Sequence, residues 1–262
     1  MKEAASASGR VGVTALLSAA GLRKSFGGVR AVQNVSIDVP EGTVLALIGP
    51  NGAGKSTLLN LLSGVYRPDG GTLSFAGHSV REMPAHRRVR LGIARTFQKI
   101  RLFKQLSVLE NVLAGFHVHH DTPFWKYFVY GASGRFRGEA AQLLEFVGLA
   151  ARAAERAGAL SYGQQRMLEI ARSLATRPRL LMLDEPAAGL NGAEVEFLLQ
   201  RLEEIRRRGV SLIVVEHNMD LVMNVAQRVF VMNHGEPLFE GTPREVQSSP
   251  RVVEAYLGGE FA

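Results

Sequence analysis

The chain has 262 residues, of which 46% are hydrophobic, so it can bury a substantial core as one large domain or as a domain with a subdomain. Its 31 basic and 24 acidic residues leave a net charge of +7, but no dense Lys/Arg tract accompanies aromatic residues, so we expect ordinary surface arginines and no nucleic-acid partner. Cysteine is absent, which excludes disulfides, thiol catalysis and cysteine metal sites and fits a reducing compartment.

The N-terminal residues show no pattern of regular structure. Residues 1–12 are mostly small or polar, and we expect a flexible tail followed by a single domain over 13–262. The apolar segment Val11–Leu22 is better explained as the start of a strand than as a signal peptide. Because no apolar run approaches the roughly 20 residues that cross a bilayer, we expect a soluble protein.

A glycine-rich loop lies between a predicted buried strand and a predicted helix. Short strands at Leu16–Phe26 and Val35–Val39 precede the apolar run Val44–Ile48. The sequence GPNGAGKS then occupies Gly49–Ser56, and a helical pattern extends from Lys55 to Leu62. Strand, glycine-rich loop and helix in this order and spacing are typical of nucleotide-binding loops.

The chemistry of this loop is anion binding. Its backbone N–H groups converge at a helix N-terminus, where the helix dipole also favours negative charge. We expect Lys55 to reach the β- and γ-phosphates and the Ser56 hydroxyl to contact Mg²⁺. The sequence therefore predicts a site for a nucleoside triphosphate and Mg²⁺ formed by Asn51, Gly52, Ala53, Gly54, Lys55, Ser56 and Thr57.

Further short strands surround the loop in sequence. After the turn at Tyr66–Gly71, we expect a strand at Thr72–Phe75 and another at Ile93–Gln98 that leads into a loop. Upstream of the glycine-rich loop, the ring of Phe26 has two explanations, stacking on a nucleotide base or packing in the core.

The pattern then changes to helices. The sequence Ser107–Glu110 is a capping box before an apolar-periodic helix that ends near Phe116. His117, His119 and His120 invite a metal hypothesis, but no carboxylate or cysteine cluster lies nearby in sequence and polar groups suit a helix C-terminus, so we predict no metal there.

The next segment is rich in aromatic residues. Asp121–Arg137 contains the only tryptophan, Trp125, and it either packs within the helical region or contacts a partner; the sequence leaves both possibilities open. Another helix is predicted at Ala140–Val147.

Two later apolar strands end in polar residues. Leu180–Glu185 ends in adjacent carboxylates, and binding sites of open parallel sheets lie at the carboxyl ends of strands. We expect Asp184 to hold Mg²⁺ through water and Glu185 to accept a proton from the attacking water. The strand Leu212–Val215 places His217 at the same edge.

Before these two strands in the chain, Leu160–Arg166 begins a helix that we expect to run to about Ala175, with Ser161 and Gln164 forming a capping box. This stretch resembles the signature motif of ABC-type ATPases. The ordered set around it also matches that family: the glycine-rich loop, Gln98, the signature, Asp184–Glu185 and His217. The resemblance extends from about Leu16 to Leu257.

The resemblance implies a fold, an assembly and further roles. The fold is an α/β P-loop NTPase with a mainly parallel core sheet, a small antiparallel β subdomain and an α-helical subdomain inserted at about residues 99–163. Two ATPase subunits would pair head to tail, each ATP lying between one loop and the partner's signature. By resemblance Gln98 senses γ-phosphate and Mg²⁺, and His217 and Gln98 act with Glu185 as catalytic residues. Phe26 takes the base-stacking position, while the residues facing the partner's ATP are Ser161, Tyr162, Gly163 and Gln164.

Finer motifs resemble the ATPases of branched-chain amino acid importers. They include Arg95–Gln98, Arg101–Phe103, Glu185–Asn191, Glu216–Met219 and Ala255–Gly258. This implies a peripheral subunit on the cytoplasmic face of the bacterial inner membrane, with two permease chains, an extracytoplasmic solute-binding protein and a second, usually different, ATPase chain.

Two positions depart from the general ABC pattern. Tyr162 replaces a small residue of the signature, and Asn191 replaces an aspartate after the Asp-Glu strand. Both are similar to the branched-chain subgroup, although Asn191 raises the question of whether the two ATP sites are equal. The alternatives are transport of urea or an amide, lipopolysaccharide export, a soluble ABC ATPase acting on nucleic acid, and a P-loop kinase, which would leave the signature unexplained.

Overall fold

The computed structural model describes residues 15–119 and 135–257, which form two β-sheets and a group of helices. The strands are β1 Ala15–Phe26, β2 Val29–Pro40, β3 Val44–Ile48, β4 Gly70–Phe75, β5 His78–Ser79, β6 Ile93–Arg95, β7 Leu180–Asp184, β8 Ser211–Val215, β9 Arg228–Asn233 and β10 Glu236–Gly241. One sheet has the order β2-β1-β4-β5 and the other β10-β9-β3-β8-β7-β6.

The α-helices connect and cover these strands. They are α1 Lys55–Ser63, α2 Ala85–Arg90, α3 Val108–Phe116, α4 Arg137–Phe146, α5 Tyr162–Leu174, α6 Gly192–Arg207, α7 Met219–Val225, α8 Pro243–Ser248 and α9 Pro250–Leu257. No helix in the described ranges is both long and apolar enough to cross a membrane.

The larger sheet is parallel from β9 to β6, with β10 added antiparallel at one edge. Strands β3, β7 and β8 are buried at every position, which explains their almost uninterrupted apolar sequences. Their carboxyl ends meet at one edge of the sheet. The loops that follow these strands therefore converge, as the sequence predicted.

The smaller sheet is antiparallel, and its strands are longer than their sequence patterns suggested. The predicted strand Val35–Val39 is the second half of β2, which begins at Val29 and pairs with β1. Tertiary pairing explains the extension, because β1 and β2 are joined by a tight turn at Gly27–Gly28 and continue as one ribbon. The α/β fold with a mainly parallel core sheet is confirmed.

Helices α3, α4 and α5 follow β6 in the chain and share one apolar cluster that includes Val112, Phe116 and Leu168. The predicted capping box of α3 is present, because Ser107 Oγ accepts from Glu110 N and Glu110 Oε2 accepts from Ser107 N. Part of the predicted aromatic segment, 121–134 with Trp125, lies outside the described residues, as do the predicted tail 1–12, His120 and Gly258. Phe136 is described and stacks on Phe116 with ring centroids 4.7 Å apart.

Candidate nucleotide-binding site

The glycine-rich loop joins β3 to α1 at the carboxyl edge of the parallel sheet. Gly54 lies immediately before α1 with φ +95°, a conformation that side chains disfavour. A Cβ atom at this position would lie 2.3 Å from the Ala31 carbonyl oxygen. Only glycine therefore allows the loop to pack this closely against β2 while its N–H groups remain at the helix N-terminus.

Lys55, the first residue of α1, is buried beneath the glycine-rich loop. Its ammonium donates to the carbonyl oxygens of Gly49 and Pro50 at 2.6 and 2.8 Å. Burial lowers the pKa of Lys55, while the carboxylates of Glu185 and then Asp184 raise it. Burial is the larger effect, and the ammonium lies in the lining of the cavity where phosphate oxygens would enter.

A cavity of about 460 Å³ opens above the loop. It brings together most residues that the sequence assigned to the nucleotide. The predicted residues in its lining are 51–57, Gln98, Glu185 and His217. Residues 29–31 and His234 also line it, although no sequence motif indicated them. His234 comes from the turn between β9 and β10, and nothing in the sequence near it signalled a position at this loop.

Glu185 lies between the other two predicted catalytic side chains. Gln98 Nε2 donates to Glu185 Oε2 at 2.9 Å, and His217 Nε2 lies 2.9 Å from Glu185 Oε1. The backbone of Glu185 has φ +48°, which is strained for a residue with a side chain. Both carboxylate oxygens are therefore oriented from two sides at the mouth of the cavity.

Asp184 is buried directly behind Glu185. Arg95 Nη2 donates to its Oδ2 at 2.8 Å, and both side chains are less than a tenth exposed. The other oxygen, Oδ1, is buried and has no hydrogen-bond partner among the described residues. Asp184 lies outside the cavity lining, but its carboxylate acts on the pKa of Lys55, which lines it. A carboxylate oxygen is a ligand type that Mg²⁺ prefers, so the chemistry of Asp184 fits the magnesium site predicted for it with Ser56.

The loop after β7 is anchored by a residue without an assigned role in the sequence. The Glu216 carboxylate accepts from the backbone N–H of Ala187 at 2.9 Å and of His217 at 3.2 Å. Burial raises the pKa of Glu216, and these N–H groups oppose that effect. Glu216 therefore ties the ends of β7 and β8 together; an acidic residue at the end of an apolar strand, as in Asp184–Glu185, was the available signal.

The signature residues occupy the N-terminus of α5 and do not line the cavity of their own chain. Ser161 and Gln164 form the predicted capping box. A Cβ atom on Gly163 would lie 2.2 Å from Glu194 Oε1, so a larger residue here would require the Glu194 side chain to move, and Tyr162 is exposed. The N-terminus of α5 is therefore exposed at Ser161 and Tyr162, and helix N-termini favour anions.

Phe26 is likewise absent from the cavity lining. Its ring is partly exposed and contacts Tyr66 edge to face, with centroids 5.2 Å apart. The side chain lies on the surface next to another aromatic residue, and its stacking on a base stays a prediction.

The described part of the chain contains no group of three or more His, Cys, Asp or Glu side chains that could hold a metal ion, and this includes the region of His117 and His119.

Asn191 has a structural role. Its Oδ1 accepts a hydrogen bond from Glu194 N at 3.0 Å and caps α6.

Comparison with known proteins matches a family model described as ABC transporter to residues 32–188, and one described as Branched-chain amino acid ATP-binding cassette transporter to residues 236–262. The chain is 45% identical to the high-affinity branched-chain amino acid transport ATP-binding protein BraF of Pseudomonas aeruginosa, over 93% of this chain and 98% of that protein. It is 42% identical to LivG of Escherichia coli, which carries the same description, over the same shares.

Solved structures agree with this result. A nucleotide-free ATP-binding cassette from an ABC transporter superposes with a TM-score of 0.83 at 32% identity, covering 93% of this chain and 99% of that one. A cassette in its ADP conformation also gives a TM-score of 0.83 at 32% identity, covering 94% and 99%.

Proposed function

The chain belongs to the ABC transporter ATP-binding family, and on that basis we propose that it is the ATP-hydrolysing subunit of an importer for branched-chain, hydrophobic amino acids. The observation that carries the hydrolytic part is the orientation of Glu185 by Gln98 and His217 at the mouth of the phosphate-binding cavity. The substrate class rests on the similarity to BraF and LivG over nearly the whole chain and on the match at 236–262.

In this proposal the phosphates of ATP bind the N–H groups of the loop and the Lys55 ammonium. Glu185 accepts a proton as water attacks the γ-phosphorus, the bond to the bridging oxygen breaks, and ADP and phosphate leave. His217 and Gln98 keep the carboxylate and the water in line. Mg²⁺, held by Ser56, Asp184 and Gln98, would supply electrostatic stabilisation of the charge on the phosphates.

We further propose a head-to-tail pair with a second ATPase chain, either a different one or a second copy. Support comes from the N-terminus of α5, where Ser161 and Tyr162 are exposed and where residues 161–164 lie outside the lining of the cavity of their own chain. Ser161 and Gly163 would bind the γ-phosphate held by the partner's loop, as helix N-termini bind anions. ATP would then stabilise the closed pair, and hydrolysis would open it. Nothing in the geometry favours the rival functions that the sequence left open.

Docking to two permease chains on the cytoplasmic face of the membrane completes the proposal, with an extracytoplasmic solute-binding protein acting through them. A groove of about 730 Å³ between β6, α3 and α5 offers a surface for a permease segment. Its wall combines aromatic and cationic side chains, which suits an apolar segment that carries an acidic residue. These side chains include Phe97, Phe103, Arg90, Arg101 and Arg172.

Phe103→Asp is expected to reduce co-purification of the permease chains while ATP binding by the isolated chain is unchanged. Phe103 is 46% exposed in the groove, and a carboxylate there removes apolar contact from its centre. Loss of such a contact costs about 2 kcal/mol or more, or at least roughly 30-fold in affinity. Val253→Asp is the matched control, because Val253 is also 46% exposed but lies on α9. Equal recovery of permeases by both variants would contradict docking in the groove.

The overall proposal is tested by ATPase activity of the complex purified from membranes and reconstituted with its binding protein. We expect leucine, isoleucine or valine to stimulate hydrolysis. Stimulation only by another solute would retain the importer and reject the substrate class. A chain that associates with nucleic acid in a steeply salt-dependent manner, and with no permease, would reject transport.

A further inference from the structure

A buried ion pair joins the site of Asp184 to the strand at the edge of the parallel sheet. Arg95, the last residue of β6, extends its guanidinium towards β7, and Nη2 lies 2.8 Å from Asp184 Oδ2. The two side chains are 7% and 5% exposed. Removing two charges from water costs free energy that a buried ion pair regains only in part. The Arg95–Asp184 pair is therefore poorly explained by a contribution to stability alone.

The guanidinium is also fixed from the opposite side. Arg95 Nη1 donates to Asn60 Oδ1 at 2.5 Å and to Ser63 Oγ at 3.2 Å, both on α1. Helix α1 is the helix that begins at the glycine-rich loop. Arg95 therefore bridges the helix that would carry the phosphates and the strand that carries the carboxylate.

The two carboxylate oxygens of Asp184 have different surroundings because Arg95 donates to Oδ2. Oδ2 accepts a hydrogen bond from Arg95, whereas Oδ1 is buried with no partner in residues 15–119 and 135–257. A buried anionic oxygen without a partner carries a large desolvation cost, which a cation would remove. The same guanidinium that satisfies Oδ2 prevents the carboxylate from rotating to satisfy Oδ1.

We propose that Arg95 is a positioning residue for metal binding: by holding Asp184 Oδ2 it keeps Oδ1 available to the Mg²⁺ that accompanies ATP. This inference rests on the proposed function and adds to it a residue with no contact to ATP. Removing the partner that orients a metal-binding carboxylate commonly lowers metal affinity by roughly 10- to 100-fold.

Arg88 provides a matched comparison within the same chain. It is fully buried, and its guanidinium also contacts α1, through the carbonyl oxygens of Leu61 and Leu62 at 2.7 and 2.8 Å. It contacts no carboxylate among the described residues. Replacing Arg88, which lies on α2, thus removes a buried arginine that contacts α1 without removing a contact of Asp184.

The test compares the affinity of a fluorescent ATP analogue in the presence of Mg²⁺ with its affinity in EDTA, and takes the ratio. For Arg95→Met we expect this ratio to fall by roughly 10-fold or more, while the affinity in EDTA stays within about 2-fold of the native value. Arg95→Lys, which keeps a charged donor, should recover part of the ratio. Arg88→Met should leave the ratio unchanged even where it lowers the melting temperature.

If Arg95→Met does not fold, Asn60→Ala takes its place: it frees one side of the guanidinium, and a smaller fall in the ratio is expected. An unchanged ratio in folded Arg95→Met or Asn60→Ala, or a ratio that rises, would overturn the proposal, since a rise means that Arg95 competes with the metal. Equal falls in Arg95→Met and Arg88→Met would also overturn it. Failure of the native chain to bind the analogue at all would instead reject the proposed function.

Discussion

Glu185→Gln is expected to retain ATP binding and to lose nearly all turnover. Glutamine keeps the size of the side chain and its contacts near Gln98 and His217, but it cannot accept the proton from water. Loss of a general base typically costs roughly 10²- to 10⁴-fold in rate. Single-turnover hydrolysis of radiolabelled ATP measures the chemical step directly, and equilibrium binding of a fluorescent ATP analogue measures retention of the site.

The same variant should accumulate a closed pair of ATPase subunits in Mg²⁺ and ATP, detected by size-exclusion chromatography with light scattering. Glu41→Gln is a suitable control, because Glu41 is an exposed carboxylate that pairs with Arg179 far from the cavity. A Glu185→Gln variant that hydrolyses ATP as fast as this control would remove Glu185 as the base.

Lys55→Ala should weaken nucleotide binding itself. The buried ammonium lies at the phosphate end of the cavity and is already held by the Gly49 and Pro50 carbonyl oxygens. A hydrogen bond to a charged group contributes about 1.5–3 kcal/mol, so affinity should fall by roughly 10- to 150-fold.

Calorimetric titration with ATP, with melting temperatures recorded alongside, separates this effect from unfolding. Lys104→Ala is the control, because Lys104 is an exposed lysine outside the cavity lining. Unchanged ATP affinity in folded Lys55→Ala would contradict the assignment of the loop as the phosphate site.

The buried strands and the helix caps followed from the sequence because they depend on local chemistry, whereas the complete fold was implied by the resemblance to ABC-type ATPases. Apolar runs predicted β3, β7 and β8, because a strand that is buried on both faces carries apolar side chains at almost every position. The capping boxes at Ser107 and Ser161 were readable because a cap involves residues only three positions apart.

The geometry of the site depended on contacts between distant parts of the chain. Gln98 and His217 are 87 and 32 residues from Glu185 in the chain, and no local sequence pattern predicts that their side chains will contact its carboxylate. The sequence predicted that these groups share one edge of the sheet, but only strand order and register placed both within hydrogen-bond distance of the same carboxylate.

What the sequence determined by itself was therefore the set of chemical groups and the strand ends that carry them. Tertiary structure decided which groups pair. Arg95 with Asp184, Glu216 with the Ala187 backbone and Glu194 beside Gly163 are all long-range contacts that no periodicity encodes. The physical reason is that burial removes water as a competing partner, so each polar group must find its partner among whatever groups the fold brings beside it.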